Sequence, residues 1–192
     1  MGSNFRQRSV FERHNFIIRF ISRVYSLFPI NFLKVLLNYH RNTPGKIGYG
    51  IRYCLIKNIA ESCGNNVAID VGVFLINPEK ISFGSNVSIN PMSYLSAIGG
   101  LKIGSNVSIA HRVTIMTSTH NYNNLVTPIK YQGLALAPVV IADNVWIGAG
   151  VTILSGKKIG SGSIVGANSL VTKDIPNCQI WGGVPAKLLK VR

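Results

Sequence analysis

The stretch "IADNVWIGAGVTILSGKKIG", residues 141–160, carries an aliphatic side chain at every sixth position. These positions are Ile141, Ile147, Ile153 and Ile159. An α-helix has a side-chain period near 3.6 and a strand has a period of 2, so neither element alone explains a step of six. The repeating unit is therefore larger, and we interpret it as a short extended segment followed by a bend.

The same unit occurs throughout most of the chain. "ISFGSNVSI" (81–89), "LKIGSNVSI" (101–109) and "VVIADNVWI" (139–147) align without gaps, and "CGNNVAI" (63–69) shares their core. Fifteen anchor positions form five groups of three: Cys63, Ile69, Leu75; Phe83, Ile89, Leu95; Ile103, Ile109, Ile115; Ile141, Ile147, Ile153; Ile159, Val165, Val171. If three units complete one turn, stacked turns bury a continuous aliphatic column. Because stacked strands lie ~4.8 Å apart, five coils predict a mainly β, triangular prism roughly 24 Å tall.

Three interruptions of the six-residue step share one edge of this prism. The steps from Leu75 to Phe83 and from Leu95 to Ile103 are eight residues, and a further interruption separates Ile115 from Ile141. Each follows the third anchor of a coil. Long loops within a compact fold are usually functional, so the excursion loop 116–138 is where we expect the chemistry.

The repeat divides the chain into an N-terminal extension (1–60), a β-helix domain (61–178) and a basic C-terminal tail (179–192). In the extension, "FIIRFISRVYSLFPINFLKVLLNY" predicts two amphipathic basic helices broken at Pro29 rather than a membrane span. We expect no signal peptide. We favour a role as a cap on the prism, and contact with anionic lipid is the alternative; both can hold together.

The net charge of +14 requires an acidic partner or surface. The basic residues lie mainly in the first 57 positions and near the C-terminus, without a nucleic-acid-binding motif. This distribution favours membrane lipid and a phosphorylated cofactor over nucleic acid. Cys54, Cys63 and Cys178 lack the spacing of a zinc site or a disulfide scaffold. We therefore expect unbridged, buried apolar thiols in a reducing cytoplasm.

The six-residue series resembles the hexapeptide-repeat acyltransferases, whose fold is a left-handed parallel β-helix. The resemblance covers roughly residues 60–190 and rests most on "IADNVWIGAGVTIL", "VGANSLVTKDIP" and "GGVPAKLLK". The sequence is similar to the galactoside and maltose acetyltransferases. It resembles the O-acetyltransferases of bacterial surface polysaccharides more closely, through "TSTHNYNN", "SCGNNVAID" and the basic, hydrophobic N-terminal extension. The resemblance implies acetyl-CoA as donor, a saccharide hydroxyl as acceptor, and a homotrimer with active sites between subunits.

Histidine suits the base that such a reaction needs, because its unperturbed pKa of ~6.5 leaves it mostly neutral at pH 7. The chain has four: His14, His40, His111 and His120. His120 opens the excursion and matches the family's catalytic histidine, so we take it as general base. Asn90 lies thirty residues earlier, at the spacing of the family's acceptor-site asparagine. The family's later acidic acceptor contact falls on "SAIGG", residues 96–100, and is absent here.

The resemblance also assigns the donor site. Eight residues are carried over as contacts to the pantetheine, adenine nucleotide or phosphates of the coenzyme: Trp146, Gly148, Ala149, Ala167, Thr172, Lys173, Lys187 and Lys190. A backbone N–H, that of Gly148 or Ala149, is expected to meet the oxyanion.

Other functions remain open at this point. An N-acetyltransferase of an amino sugar or an antibiotic would keep the donor site and change the acceptor. A non-catalytic solenoid scaffold would explain the repeat alone. The gamma-class carbonic anhydrases share the fold but need three histidine ligands, and the solenoid contains only His111 and His120, so we expect no metal. The predicted location is cytoplasmic, at the inner face of a membrane if the extension binds lipid.

Overall fold

The N-terminal part of the structure is helical. A computed structural model describes residues 15–192, and residues 1–14 of the predicted extension, with His14, lie outside it. Three α-helices come first: α1 (Asn15–Tyr25), α2 (Ile30–Tyr39) and α3 (Gly45–Ile59). Short 3₁₀ turns occur between α2 and α3 at His40–Asn42, and later at Pro78–Lys80 and Ile129–Tyr131. The predicted break at Pro29 is confirmed, because α2 begins directly after it.

The rest of the chain consists of short strands. They are β1 (Ser62–Cys63), β2 (Val67–Ile69), β3 (Phe74–Ile76), β4 (Ile81–Phe83), β5 (Val87–Ile89), β6 (Tyr94–Ser96), β7 (Leu101–Ile103), β8 (Ser108–Ile109), β9 (Thr114–Met116), β10 (Ser118–His120), β11 (Leu134–Leu136), β12 (Val139–Ile141), β13 (Trp146–Ile147), β14 (Thr152–Ile153), β15 (Lys158–Ile159), β16 (Ile164–Val165), β17 (Leu170–Val171), β18 (Gln179–Gly182) and β19 (Lys187–Val191).

All of these strands except β10 and β11, which pair with each other, form the three faces of a parallel β-helix. Sheet A contains β1, β4, β7, β12 and β15; sheet C contains β3, β6, β9, β14 and β17; sheet B contains β2, β5, β8, β13, β16 and β18, with β19 antiparallel at its end. Equivalent anchors pair across neighbouring coils, as Ile69 does with Ile89 and Leu95 with Ile115. The predicted solenoid of stacked three-unit coils is thus confirmed.

The core is the predicted column of anchors, and a second inward row strengthens it. From Phe83 to Val171 every anchor is buried. The residue two positions earlier also points inward, since side chains alternate along a strand. Val67, Val87 and Val107 form part of this second row. Two aliphatic residues per strand therefore fill the narrow interior.

The β-helix continues into a sixth turn, which the six-residue step of the sequence does not predict. After Val171 the next inward residue is Ile175, only four positions later, and it pairs with Ile159. Trp181 then pairs with Val165. The segment 179–192, expected as a tail, continues sheet B as the antiparallel pair β18–β19.

Helix α3 closes the N-terminal end of the prism, which confirms the capping interpretation for this helix. Leu55, Ile56 and Ile59 are buried in the same core as the first coil. Arg52 is also buried, and its Nε donates to the carbonyl oxygen of Ile69 at 2.8 Å. Tyr53 donates to the carbonyl oxygen of Gly64 at 3.1 Å. Within residues 15–192, no helix combines the length and apolarity needed to cross a bilayer.

The cysteines follow the prediction in part. Cys54 is buried under α1, and Cys63 is partly buried in the first coil. Burial raises the pKa of each thiol to about 11, an effect that nearby Lys57 opposes. Both thiols therefore remain protonated at neutral pH. Cys178 is exposed, so the expectation of a buried thiol is wrong there: it lies at an outer corner of the sixth turn.

Candidate active site

His120 ends a short strand that projects from the prism. Strand β10 pairs antiparallel with β11, so the excursion forms a two-stranded ribbon, with His120 opposite Leu134. The next residue, Asn121, donates its backbone N–H to Gly133 O at 3.1 Å. The His120 side chain is exposed. A general base at this position is accessible to a bulky acceptor.

Hydrogen bonds fix the base of the ribbon. Thr117 is fully buried; its hydroxyl donates to Ser96 O at 2.8 Å and accepts from the Gly99 N–H at 2.9 Å. Its carbonyl oxygen accepts from the Ala137 N–H at 3.0 Å. Thr117 therefore ties both ends of the ribbon to the eight-residue interruption in the coil above, three residues from His120.

The tip of the excursion is held by two amide side chains. Gln132 donates from Nε2 to the carbonyl oxygens of Asn124 and Thr127, at 2.7 Å each. The Asn124 side chain in turn accepts from the backbone N–H groups of Val126 and Thr127 at 2.8 and 3.1 Å. These bonds replace the regular pairing that the loop lacks, and they give the segment around His120 a defined shape.

Asn90 lies directly after the sheet B anchor of the second coil. Its backbone N–H and its side-chain Nδ2 both donate to Ile109 O, each at 2.9 Å. One amide hydrogen therefore holds the side chain against the coil. The side-chain carbonyl oxygen of Asn90 is then the atom best suited to receive a hydrogen bond from a hydroxyl of the substrate.

The first donor-site group lies on and beside sheet B in the fourth and fifth coils. Trp146 projects from the outer face of β13 and is about half exposed. Gly148 is buried, and a Cβ there would lie 2.6 Å from Ala167 N and 2.7 Å from Val165 O, so only glycine fits. Its role is thus close stacking of coils. Ala149 is partly exposed and Ala167 is exposed, so both are accessible to a ligand.

Only one of the two candidate oxyanion donors, the backbone N–H groups of Gly148 and Ala149, is free of the ladder between coils. The Gly148 N–H donates to Val165 O at 2.8 Å as part of the ladder between coils. That hydrogen is not available to a substrate without breaking the ladder. Of the two amides, Ala149 remains the candidate.

Lys187 and Lys190 share a face of the sheet because of a β-bulge. Lys187 opposes Gly182 and Lys190 opposes Ile180, with a register shift between Ile180 and Trp181. Gly182 and Ile180 are two residues apart, so they and their partners point the same way. Without the bulge, lysines three residues apart would point to opposite faces.

This face also carries Trp146. The register across sheet B runs from Trp146 through Ile164 and Ile180 to Lys190. Three strand spacings separate the tryptophan from the lysine, about 14 Å. An aromatic side chain at one end and ammonium groups at the other suit a ligand with an apolar arm and phosphates.

Thr172 and Lys173 lie elsewhere, after the last strand of sheet C. Thr172 is partly exposed and Lys173 is exposed. They share with His120 the edge between sheets C and A. Asn90, Trp146, Ala149 and Ala167 lie instead on sheet B or at its edge with sheet C. The whole face of sheet C, about 10 Å wide, separates the two groups within one chain.

The family model for the bacterial transferase hexapeptide (six repeats) matches residues 138–173. Galactoside O-acetyltransferase of Escherichia coli (strain K12) is 34% identical over 139 residues, covering 72% of this chain and 68% of that protein. The chain belongs to the hexapeptide-repeat acetyltransferases. It spans less than half the length of the first curated relatives it matches, between 24% and 41%. The E. coli protein WbbJ, named for O-acetyl transfer in lipopolysaccharide biosynthesis, is 44% identical over 63 residues, covering 33% of this chain and 32% of that protein.

Solved structures of hexapeptide-repeat acetyltransferases resemble this chain over most of its length. A galactoside acetyltransferase in complex with coenzyme A has a TM-score of 0.75 at 31% identity and covers 83% of this chain and 78% of that chain. An acetyltransferase from Vibrio cholerae complexed with acetyl coenzyme A has a TM-score of 0.75 at 26% identity, covering 84% and 86%. The N-acyltransferase AntD from Bacillus cereus, with 3-hydroxybutyryl-CoA, has a TM-score of 0.60 at 25% identity, covering 72% and 86%.

Two unusual backbone positions beside Asn90 escaped the sequence analysis of this hexapeptide-repeat protein. Met92 and Arg112 have φ angles of +62° and +59°. Left-handed backbone is unfavourable for such side chains and often marks functional sites. Gly72 and Gly150 occupy the equivalent corners of other coils. Their position three residues after an anchor is the signal that could have identified them.

The charge around the last coils is strongly positive. Residues 157–192 contain six lysines and arginines and one acidic residue, Asp174. The Asp174 carboxylate accepts from the Lys158 backbone N–H at 2.9 Å. Within residues 15–192, no three His, Cys, Asp or Glu side chains gather in a way that could hold a metal ion.

Proposed function

We propose that this protein transfers an acetyl group from acetyl-CoA to a saccharide hydroxyl, with His120 as general base. The observation that carries the proposal is the β10–β11 ribbon, which Thr117 ties to the preceding coil. It presents an exposed histidine at the edge between sheets C and A, where the six-residue step is interrupted. Long loops in a compact domain are usually functional, and catalytic residues are disproportionately found on loops held by a rigid scaffold. Family membership supports the acyl-transfer chemistry.

The proposed reaction is direct transfer. The imidazole of His120 takes the proton of the acceptor hydroxyl, and the oxygen attacks the thioester carbonyl carbon. The C–O bond forms, the C–S bond breaks, and the proton passes from the imidazolium to the sulfur of the departing coenzyme. The Ala149 N–H is our candidate donor to the tetrahedral oxyanion.

The donor would lie along the outer face of sheet B. Trp146 and Ala149 would flank the pantetheine arm, Ala167 would contact its amides, and Lys187 and Lys190 would meet the phosphates. The alignment of Trp146 and Lys190 in one row supports this arrangement. Thr172 and Lys173, at the other edge, would approach the adenine nucleotide from a neighbouring chain.

We therefore propose a homotrimer with each active site between two chains. The outer side chains of sheet C support a protein contact, because Phe74, Ile76, Tyr94 and Met116 are apolar and exposed. The corresponding positions of sheet A include Ser82, Lys102 and Lys158, which suit solvent. A cytoplasmic location remains part of this proposal.

For the acceptor we favour a bacterial surface polysaccharide or its precursor. The likeness to WbbJ supports this choice. The likeness to AntD keeps an amino acceptor as the second candidate. Parallel assays with hydroxyl and amino sugars decide between them, and absence of coenzyme binding would favour a scaffold.

The test is saccharide-dependent release of free thiol from acetyl-CoA. His120→Ala is expected to lower kcat/KM by about 10²-fold or more, the low end of general-base contributions. Lys102→Ala is the control, because this exposed lysine lies on the outer face of sheet A, away from both edges that carry the candidate site residues. Equal turnover by His120→Ala and the parent protein would refute the assigned base.

A further inference from the structure

Helix α1 has apolar side chains on two opposite faces. Its inner face packs on α3, where Asn58 Nδ2 donates to Ser22 O at 3.1 Å and Cys54 Sγ lies 3.6 Å from Ile18 O. Its outer face continues into the following turn and is exposed among the residues that the structure describes, 15–192. The outer stripe, at spacings of four, four and three residues, consists of Phe16, Phe20, Val24 and Leu27.

Helix α2 has the same two-sided character. Leu33 and Leu37 are buried in the core. Phe32, Val35 and Tyr39 are exposed, at spacings that place them along one stripe. The ring of Phe28, in the turn before α2, lies 5.3 Å from that of Phe32 and joins the end of the α1 stripe to the beginning of this one. In the part of the chain described by the structure, only the inner faces of α1 and α2 therefore pack against the rest of the protein.

The charge on these helices has one sign. Residues 15–59 contain seven lysines and arginines and no aspartate or glutamate: Arg19, Arg23, Lys34, Arg41, Lys46, Arg52 and Lys57. Arg52 is buried and Lys34 pairs with Glu79 at 2.9 Å. Arg19 and Arg23, one helical turn apart, are exposed beside the α1 stripe.

We propose that the outer faces of α1 and α2 bind the surface of an anionic lipid bilayer. The complementary charge of the lipid headgroups selects this partner over a neutral apolar surface. Phenylalanine and leucine on one side of a helix with arginines beside them are typical of helices that lie in a membrane interface. Neither helix is long enough to span a bilayer, so the protein lies on the surface.

Vesicle co-sedimentation of the full chain tests this proposal. The parent protein is expected to bind vesicles with about 30% phosphatidylglycerol and to bind pure phosphatidylcholine at least about tenfold more weakly. Phe20→Ser/Leu27→Ser is expected to lower the partition coefficient by about tenfold or more, through loss of apolar insertion. Arg19→Gln/Arg23→Gln is expected to lower binding to anionic vesicles by about 10- to 30-fold.

Matched controls separate this surface from the rest of the protein. Val126→Ser removes a similarly exposed apolar side chain from the excursion, and Lys102→Gln removes an exposed charge from sheet A. Both are expected to bind vesicles as the parent does. Failure of the parent to bind anionic vesicles, or parent-like binding by either double variant, would overturn the proposal. Self-association lost in Phe20→Ser/Leu27→Ser, without vesicle binding, would assign the surface to a second copy instead.

The proposal is independent of the proposed catalysis. With a water-soluble acceptor, both double variants are expected to retain the parent's acetyl-transfer rate, because their side chains lie on the cap. Loss of vesicle binding with normal turnover therefore tests the lipid surface alone.

Discussion

Single residues at the corner between sheets A and B let the coils stack closely. Asn66, Asn86, Asn106 and Asn144 have φ angles of 57° to 59°, each three residues after an anchor. Asparagine tolerates this left-handed region better than most residues. The side chains also join neighbouring coils, as when Asn66 Nδ2 donates to Asn86 Oδ1 at 3.0 Å. The corner thus gains a ladder of hydrogen bonds.

Cys178 occupies the same corner in the sixth turn, three residues after Ile175, with φ of +55°. Cysteine has no side-chain amide to offset the left-handed backbone. Cys178→Asn is therefore expected to stabilise the protein by about 0.5–1 kcal/mol, or ~1–4 °C in Tm. Thermal unfolding followed by circular dichroism measures this. Cys178→Ala is the control, and an equal Tm for the two variants would contradict the argument.

At the scale of elements, the bulge in β19 determines where two charges point. It brings Lys187 and Lys190 to the face that carries Trp146. Lys187→Ala/Lys190→Ala is expected to raise the KM for acetyl-CoA by about tenfold and to leave kcat nearly unchanged, because phosphate contacts are equal in ground and transition states. Steady-state kinetics measure both constants.

The control for the lysine pair is Lys102→Ala, an exposed lysine on sheet A. With acetyl-3′-dephospho-CoA as donor, the effect of the double substitution is expected to shrink, since one phosphate is missing. A fall in kcat at unchanged KM would exclude the phosphate-binding role.

The joint between the cap and the first coil depends on Arg52. Besides Ile69 O, it donates from Nη1 to Thr43 O at 2.7 Å and His40 O at 3.0 Å. Arg52→Ala removes this donor from the carbonyl oxygens of Ile69 and Thr43, whereas His40 O keeps the Thr43 N–H. The substitution is expected to cost about 3 kcal/mol, a fall of ~6–12 °C in Tm. Differential scanning calorimetry provides the measurement.

Two comparisons sharpen the Arg52 test. Arg52→Lys is expected to restore little of the loss, because an ammonium group lacks the guanidinium fork. Lys46→Ala, at an exposed position of the same helix, is expected to change Tm by less than ~2 °C. A similar small change for Arg52→Ala would show that the cap is held by apolar packing alone.

The sequence predicts the parts of the fold that follow a fixed step. Within each of the five coils the anchors follow this step, and they identify the coils and their register. The sixth turn escapes because its step from Val171 to Ile175 is four. The position of His120 at an interrupted edge follows from counting. Its ribbon depends on Thr117, whose partner Ser96 lies in the preceding coil, and on side-chain bonds of Gln132 within the loop, and no repeat in the sequence predicts either.

At the scale of the whole molecule, the candidate site is divided within one chain. His120, Thr172 and Lys173 belong to one edge, and Asn90 and the sheet B group belong to another. The spacing of thirty residues relates Asn90 to His120 in the sequence, but it does not show that the face of sheet C separates them in the structure. Rotation about a threefold axis can bring the first edge of one chain to the second edge of its neighbour. A particle of three times 20.9 kDa is therefore expected in solution.

Mixed oligomers test whether the site is shared between chains. His120→Ala and Asn90→Ala are expected to be strongly impaired as separate proteins. Refolded together in equal amounts, about one interface in four pairs an intact His120 of one chain with an intact Asn90 of its neighbour. Acetyl transfer should then recover to about a quarter of the parent rate. If each site were built within one chain, every site in the mixture would carry one defect, and the rate would remain that of the separate variants.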